Sequence, residues 1–280
     1  MKKYVVLFLL ISGISFAQEK DTTLYKWNPS LMTGLNVSQI AFSNWTQGGE
    51  NSITWTATGD FGLKYKTETW YFKNQLKAAY GRTKQGGNDF ITNDNELFLE
   101  SVISYHIFGW QVDPYFSNTV RTQLTKGFDY STTPETQIAD FFDPGYITQS
   151  LGFTYDKLEN IQTRLGIAFQ EVITSNYTKY SDDPETLNEI EKFKFETGIE
   201  SVTDANFTLD ENLLLKSKLR LFSRFESMDV WDVRWDNTIT AKVNSWLNVN
   251  FAYLLIYQKD QSPTTQMKQA LQLGIVYTIL

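Results

Sequence analysis

The chain has 280 residues, a formal net charge of −7 and no cysteine. The acidic balance excludes a nucleic-acid partner held by a basic patch, and the missing cysteines exclude disulfides, thiol nucleophiles, cysteine metal sites and a lipid-linked cysteine behind the leader. Mean hydropathy is negative at −0.33, and beyond the leader no stretch is apolar enough for a membrane helix, yet aromatic residues reach 15%.

Met1–Ala17 has the parts of a secretory leader: Lys2 and Lys3, an apolar run from Val5 to Ile11, and Ser15-Phe16-Ala17 as a small-x-small cleavage site before Gln18. The apolar run is shorter than the ~20 residues of a spanning helix, which argues against a membrane anchor. Residues 18–30 are polar and aperiodic and are expected to form a short periplasmic lead, with residues 31–280 as the folded domain.

From Leu31 onward the chain breaks into twelve alternating stretches. They are expected at Leu31–Ala41, Ser52–Tyr65, Trp70–Gly81, Glu96–Ile107, Tyr115–Thr125 and Ile147–Tyr155. The remaining six are Ile161–Gln170, Phe193–Val202, Asn212–Glu226, Val230–Val243, Leu247–Gln258 and Met267–Leu280. In each, one parity carries no Asp, Glu, Lys or Arg. Between Asn212 and Glu226, Leu213, Leu215, Leu219, Leu221 and Phe225 alternate with Lys216, Lys218, Arg220, Arg224 and Glu226. An uncharged face opposite a charged one is the pattern of a barrel with lipid outside and water inside, because a Lys or Arg facing lipid near the midplane costs ~2–4 kcal/mol. The expected fold is therefore all-β: a transmembrane antiparallel up-and-down barrel of about twelve strands with both termini periplasmic. Connection lengths agree: 66–69, 108–111, 156–160 and 244–246 are short, whereas 81–95, 126–146 and 171–192 are long. The turn after the eighth strand and the loop 227–229 fit this alternation less well. Tyr and Trp near strand ends, among them Trp70, Tyr105, Trp231 and Trp246, suit interfacial girdles.

Leu35-Asn36-x-x-Gln39, followed by Ser43-Asn44-Trp45-x-x-Gly48-Gly49-x-Asn51-Ser52, resembles the opening signature of the DUF3078 family, Gram-negative outer-membrane β-barrels of unknown function. Asp143-Pro144-Gly145-Tyr146 leading into Gln149-Ser150-Leu151-Gly152, and the alternation after Asn248, are similar to that family as well. The resemblance implies fold and location and brings no activity with it. Within the signature, Asn44, Trp45, Gly48, Gly49 and Asn51 are expected to build a tight hairpin loop, with the glycines supplying positive φ.

Signatures of chemistry are sparse, and no catalytic residue, metal site or cofactor is expected. His106 shares its face with Ser104, a pair that invites comparison with outer-membrane lipid hydrolases, but that face points away from lipid. Glu96 and Glu100 are spaced as an acid and base would be, although neighbouring basic residues neutralise them more simply. The acidic loop with Asp182, Asp183, Glu185, Glu189 and Glu191 lacks the glycine punctuation of a calcium loop.

The wet face is the more informative one. Glu96, Glu100, Arg121, Arg164, Glu196, Glu200, Lys216, Arg224, Asp232, Arg234 and Asp236 interleave both signs on adjacent strands and are expected to pair across the interior. Twelve strands lie between filled eight-stranded barrels and open sixteen-stranded ones, and Phe98, Tyr115 and Phe222 narrow the space further. The sequence favours a constricted, mixed-charge barrel serving as a structural or accessory subunit of an outer-membrane assembly. The alternative is a channel or passive transporter for small solutes, with a lipid hydrolase more remote. Expected partners are outer-membrane lipids, lipopolysaccharide and other outer-membrane proteins.

Overall fold

The computed structural model describes residues 24–279 apart from 45, 184, 185, 187, 188, 260 and 261. The expected leader Met1–Ala17 lies outside the described residues, as does Trp45 of the loop signature.

Fourteen strands appear in chain order: β1 (Trp27–Ile40), β2 (Ser52–Lys66), β3 (Trp70–Gln85), β4 (Ile91–Tyr105), β5 (Asp113–Thr122), β6 (Gly127–Asp129) and β7 (Thr136–Ala139). They continue as β8 (Gly145–Leu158), β9 (Ile161–Ile173), β10 (Phe193–Asp210), β11 (Leu213–Arg224), β12 (Asp232–Lys242), β13 (Leu247–Tyr257) and β14 (Gln266–Thr278). All but β6 and β7 close into one antiparallel barrel in the order β1-β14-β13-β12-β11-β10-β9-β8-β5-β4-β3-β2. Closure is made by β1 and β14, paired from Met32 opposite Thr278 to Val37 opposite Leu273. Over that span closure pairs the edges of β1 and β14, which an open sheet in lipid cannot do.

The twelve barrel strands overlap the twelve expected stretches with shifted ends, and because β3 runs to Gln85 and β4 begins at Ile91 the connection expected to be long at 81–95 is reduced to residues 86–90. β1 starts at Trp27, so the polar lead is shorter than expected. β10 runs on to Asp210, because Phe207 and Leu209 continue its alternation; the connection to β11 shrinks to Glu211 and Asn212, and the misfitting turn disappears. Inside the long loop after β5, β6 and β7 form a separate hairpin.

Connections at the end holding both termini are short and locally closed. The Thr67 hydroxyl accepts from Trp70 N at 2.8 Å, and Asn244 Oδ1 accepts from Trp246 N and Leu247 N at 2.9 and 2.8 Å. We call this the turn end and the opposite one the loop end. Outward side chains are large and exposed, as at Leu35, Leu76, Phe116, Leu151, Leu165, Phe251 and Leu273. Aromatic pairs gather near both rims. Trp27–Tyr65 and Trp70–Tyr105 lie at the turn end with centroids 4.7 and 4.8 Å apart, and Trp55–Tyr80 and Phe169–Phe195 lie towards the loop end at 6.0 and 6.3 Å. Charges that the longer strands add to the outward parity sit at rims; Glu171 is two residues from the end of β9.

Candidate functional site

The barrel interior is built by the inward parity of every strand, and β4 is its hub. Glu100 is 1% exposed and faces three cations. Arg164 Nη2 from β9 donates to it at 2.6 Å, Lys218 Nζ from β11 donates to both oxygens at 2.8 and 2.9 Å, and Lys73 Nζ from β3 stands 3.5 Å away. Two pleats nearer the loop end, Glu96 accepts from Arg234 Nη2 of β12 at 3.0 Å to each oxygen and lies 3.1 Å from Arg121 Nε of β5. Near the loop end, Lys268 of β14 reaches Asp94 at 2.9 Å. These contacts span the lumen. β4 and β12 are diametrically opposed, and the Glu96–Arg234 bridge leaves five strands on either side.

On the side formed by β5, β8, β9, β10 and β11 the interior is solid. Arg220 Nε donates to Glu200 at 2.6 Å and its Nη2 to Gln170 at 3.0 Å, while Arg224 joins Glu196 at 2.6 Å to Asp232 at 3.0 Å. Lys194 and Gln170 complete the shell of Glu196 at 2.9 and 2.8 Å. Aromatic rings fill the gaps and meet guanidinium groups face-on: Arg164 over Tyr115 at 5.7 Å and Arg220 over Phe222 at 5.4 Å. Phe222 is fully buried because Gly198 lies beneath its ring, where a Cβ would come within 2.9 Å of a ring carbon. Two clefts remain beside this network, one edged by Arg121, Arg220, Asp232 and Arg234, the other by Gln170, Lys194, Glu196 and Arg224. Each has a volume of about 20 Å³, room for about one water molecule.

The side formed by β13, β14, β1, β2 and β3 is lined differently. Many of its inward residues are short and uncharged, including Ser30, Gly34, Asn36, Thr54, Thr58, Ala79, Ala252 and Ala270, while β3 adds Tyr71, Lys73 and Lys77 and β13 adds Leu254 and Ile256. Asn250 Nδ2 donates to Asn36 and Asn248 at 2.9 Å and its Oδ1 accepts from Thr240 at 2.9 Å, an amide cluster seated over Gly274. Most of these side chains keep partial exposure, in contrast to the buried wall opposite. Lys77 from β3 and Lys216 from β11 face inward, remain exposed and form no hydrogen bond or ion pair among the described residues.

Of the expected network, Glu96, Glu100, Arg121, Arg164, Glu196, Glu200, Arg224, Asp232, Arg234 and Asp236 all take part, Asp236 by accepting from Arg234 Nε at 2.9 Å. Lys216 does not join, because Lys218, one pleat along, occupies both Glu100 and Asp204. Lys73, Lys194, Lys218 and Arg220 take part as well; their inward parity was the available signal. Gln170 and Lys268 have that parity too, whereas Asp94 precedes the expected stretch Glu96–Ile107. Glu226 lies beyond β11 in an exposed loop.

His106, in the connection after β4, turns Nδ1 to Asp113 at the start of β5, 3.0 Å away, rather than to Ser104. Glu96 and Glu100 are saturated by cations and have no free acid–base role. In the first loop, Asn51 Oδ1 accepts from Phe42 N at 2.7 Å and the Phe42 ring covers Gly49, while Asn44, Gly48 and Gly49 adopt φ of 54°, 82° and 116°. In the acidic loop, Glu191 accepts from the Thr186 hydroxyl at 2.5 Å and from Asp183 N at 3.0 Å, and these donors hold its carboxyl at about 2. Asp182 accepts from Glu191 N at 3.1 Å, so these oxygens serve the loop's own donors instead of converging on a cation; Glu185 lies outside the described residues. The loops above the solid side are tied together: the buried Asp143 carboxylate accepts from Ser175 N and Asn176 N at 2.8 Å, and Asn95 Oδ1 accepts from Leu124 N and Thr125 N at 3.0 and 3.1 Å.

Residues 37–128 match the model of a family described as a protein of unknown function, DUF3078. The match includes much of the first signature; the similar stretches at 143–152 and after Asn248 fall outside it. No curated protein matches the sequence. Among solved structures, the COG4313 outer membrane channel from Pseudomonas putida F1 is similar over 94% of this chain and 99% of its own, at 8% identity and a TM-score of 0.40. The NanC porin is similar over 90% of this chain and all of its own, at 8% identity and a TM-score of 0.40. The translocator domain of the autotransporter NalP from Neisseria meningitidis covers 89% and 86%, at 10% identity and a TM-score of 0.37.

Proposed function

We propose that this chain is an integral outer-membrane barrel that lets small polar solutes pass along one side of its interior, with a preference for anions. The observation that carries the proposal is the half-lumen of short, partly exposed polar side chains beside the Glu96–Arg234 bridge. The other half, filled by its own ion pairs and rings, serves as a fixed wall that narrows the path. Lys77 and Lys216 present ammonium groups to that path without a bonded counter-charge, and fixed charges lining a constriction set the sign of what enters.

Membrane residence rests on the outer surface. Exposed Leu, Ile and Phe on ten of the twelve barrel strands, Trp235 on β12 and aromatic pairs near both rims match the band and girdles of outer-membrane barrels. Long loops opposite the termini support a periplasmic turn end and an external loop end, where lipopolysaccharide would meet the rim. This reading takes the channel over the accessory-subunit expectation, because one side of the interior is packed with ion pairs and rings while the other carries short, partly exposed polar side chains. The test is reconstitution into planar bilayers and solute-loaded liposomes. Conductance with anion preference is expected; zero conductance together with zero uptake overturns the proposal.

A further inference from the structure

The lipid-facing surface carries two polar rows, Ser217, Asn237, Tyr253 and Gln269 on β11 to β14 and a second on β3 to β8 that holds three amides. Register places Asn74 of β3 opposite Ser101 of β4, Ser101 opposite Asn118 of β5, and Asn118 opposite Gln149 of β8. All four have outward parity, so four adjacent strands present a continuous line of polar groups. The rows on either side of it are apolar. Towards the turn end the same strands pair Phe72, Ile103, Phe116 and Leu151; towards the loop end they pair Leu76, Leu99, Val120 and Ile147. The line therefore lies within the apolar band and not at a rim.

Only part of it is satisfied internally. The Ser101 hydroxyl donates to Asn74 Oδ1 at 3.0 Å, which leaves the Asn74 amide hydrogens unused. Asn118 and Gln149 make no side-chain hydrogen bond among the described residues. An amide without a partner in an apolar medium costs several kcal/mol, whereas polar side chains that meet across an interface in the membrane hold proteins together.

We propose that this row is the contact by which two copies of the chain associate side by side in the membrane. The amide group favours a second copy over a different protein, because it carries donor and acceptor together and pairs with its own image about a two-fold axis. A copy in the same bilayer also places its row at the same depth, a match that any other partner would have to achieve separately. The inference rests on the reading that lipid surrounds this face. It adds a pairing surface on β3, β4, β5 and β8, away from the proposed solute path along β13, β14, β1, β2 and β3 except at β3 itself.

The absence of cysteine permits a single reporter at the exposed loop residue Thr264. Full-length Thr264→Cys protein, labelled with donor or acceptor dye and mixed in liposomes over a range of protein-to-lipid ratios, is expected to show energy transfer with a monomer–dimer midpoint. Adding Asn118→Leu and Gln149→Leu makes the face more apolar, which favours insertion, and is expected to move that midpoint at least tenfold towards monomer. Heat-modifiable migration of both proteins reports the folded barrel. A chain that inserts and folds yet stays monomeric at every ratio, or a dimer untouched by the two leucines, overturns this proposal and leaves the membrane reading standing. A chain that fails to enter liposomes overturns both.

Discussion

The two halves of the lumen use the same strand geometry and reach opposite results. Along β9 and β10 the inward glycines Gly166 and Gly198 stand beside Arg164, Glu196 and Glu200 and make room for Tyr115 and Phe222, while Arg164, Arg220 and Arg224 reach carboxylates within 2.6–3.0 Å. Along β13, β14, β1 and β2 many of the inward residues are short, and their hydrogen bonds run along the wall, as from Asn250 to Asn36 and Asn248, instead of across it. Side-chain length, not strand number, decides which part of a twelve-stranded barrel is solid.

Energetic consequences differ accordingly, and the largest effect is expected at the hub. Glu100→Gln leaves Arg164 buried beside Lys73 and Lys218 without a matching anion, and breaking one partner of a buried pair costs ~3–5 kcal/mol. Asp60→Asn on the other side, where the carboxylate is half-buried and its bonded partner is Gln75 at 3.0 Å, is expected to stay within ~1 kcal/mol. Urea unfolding of both variants in the same micelles compares them; equal losses would erase the distinction between the halves.

Permeation sharpens the contrast from the other direction. Ala252 and Ala270 face each other across β13 and β14 on the side with short residues. Ala252→Trp is expected to remove most of the single-channel conductance while leaving heat-modifiable folding intact, and an unchanged conductance would place the path elsewhere. Charge reversal has a smaller effect: Lys77→Glu with Lys216→Glu is expected to turn anion preference into cation preference in reversal-potential measurements, without loss of conductance.

The smallest expected effect lies in the loops. The Glu191 carboxyl, stabilised as an anion by Thr186 and Asp183 N, titrates in the folded loop at about 2, below its unfolded value. Its contribution to loop order is thus present above the unfolded carboxylate range and is lost only as pH falls towards 2. The carbon-13 shift of the Glu191 carboxyl across pH 5 to 2 measures this, and a midpoint in the ordinary carboxylate range would break the assignment.

Strand positions were legible because the outward parity tolerates no charge within the apolar band, and that rule reads directly from residues such as Leu213 to Phe225. β6 and β7 were not, since three and four residues are too few to display a period. Most of the charged network was legible as inward parity, but its partners were not. That Glu100 meets Lys218 and Glu96 meets Arg234 depends on barrel closure and register, which no local pattern encodes. Lys216 shows the limit from the other side: its parity matches Lys218, and only the position of one carboxylate separates a bridging residue from a free one.

The bridges from β4 have a consequence for how the molecule matures. Glu100 and Lys218 are 118 residues apart in the chain, and Glu96 and Arg234 are 138 apart. A chain whose last third has not yet joined the sheet holds Glu96 and Glu100 without two of their cations, so partly assembled forms are penalised until the late strands arrive. Completion of the cylinder and neutralisation of its centre are thereby one event, which gives assembly an all-or-none character and leaves truncated chains nowhere comfortable to stop.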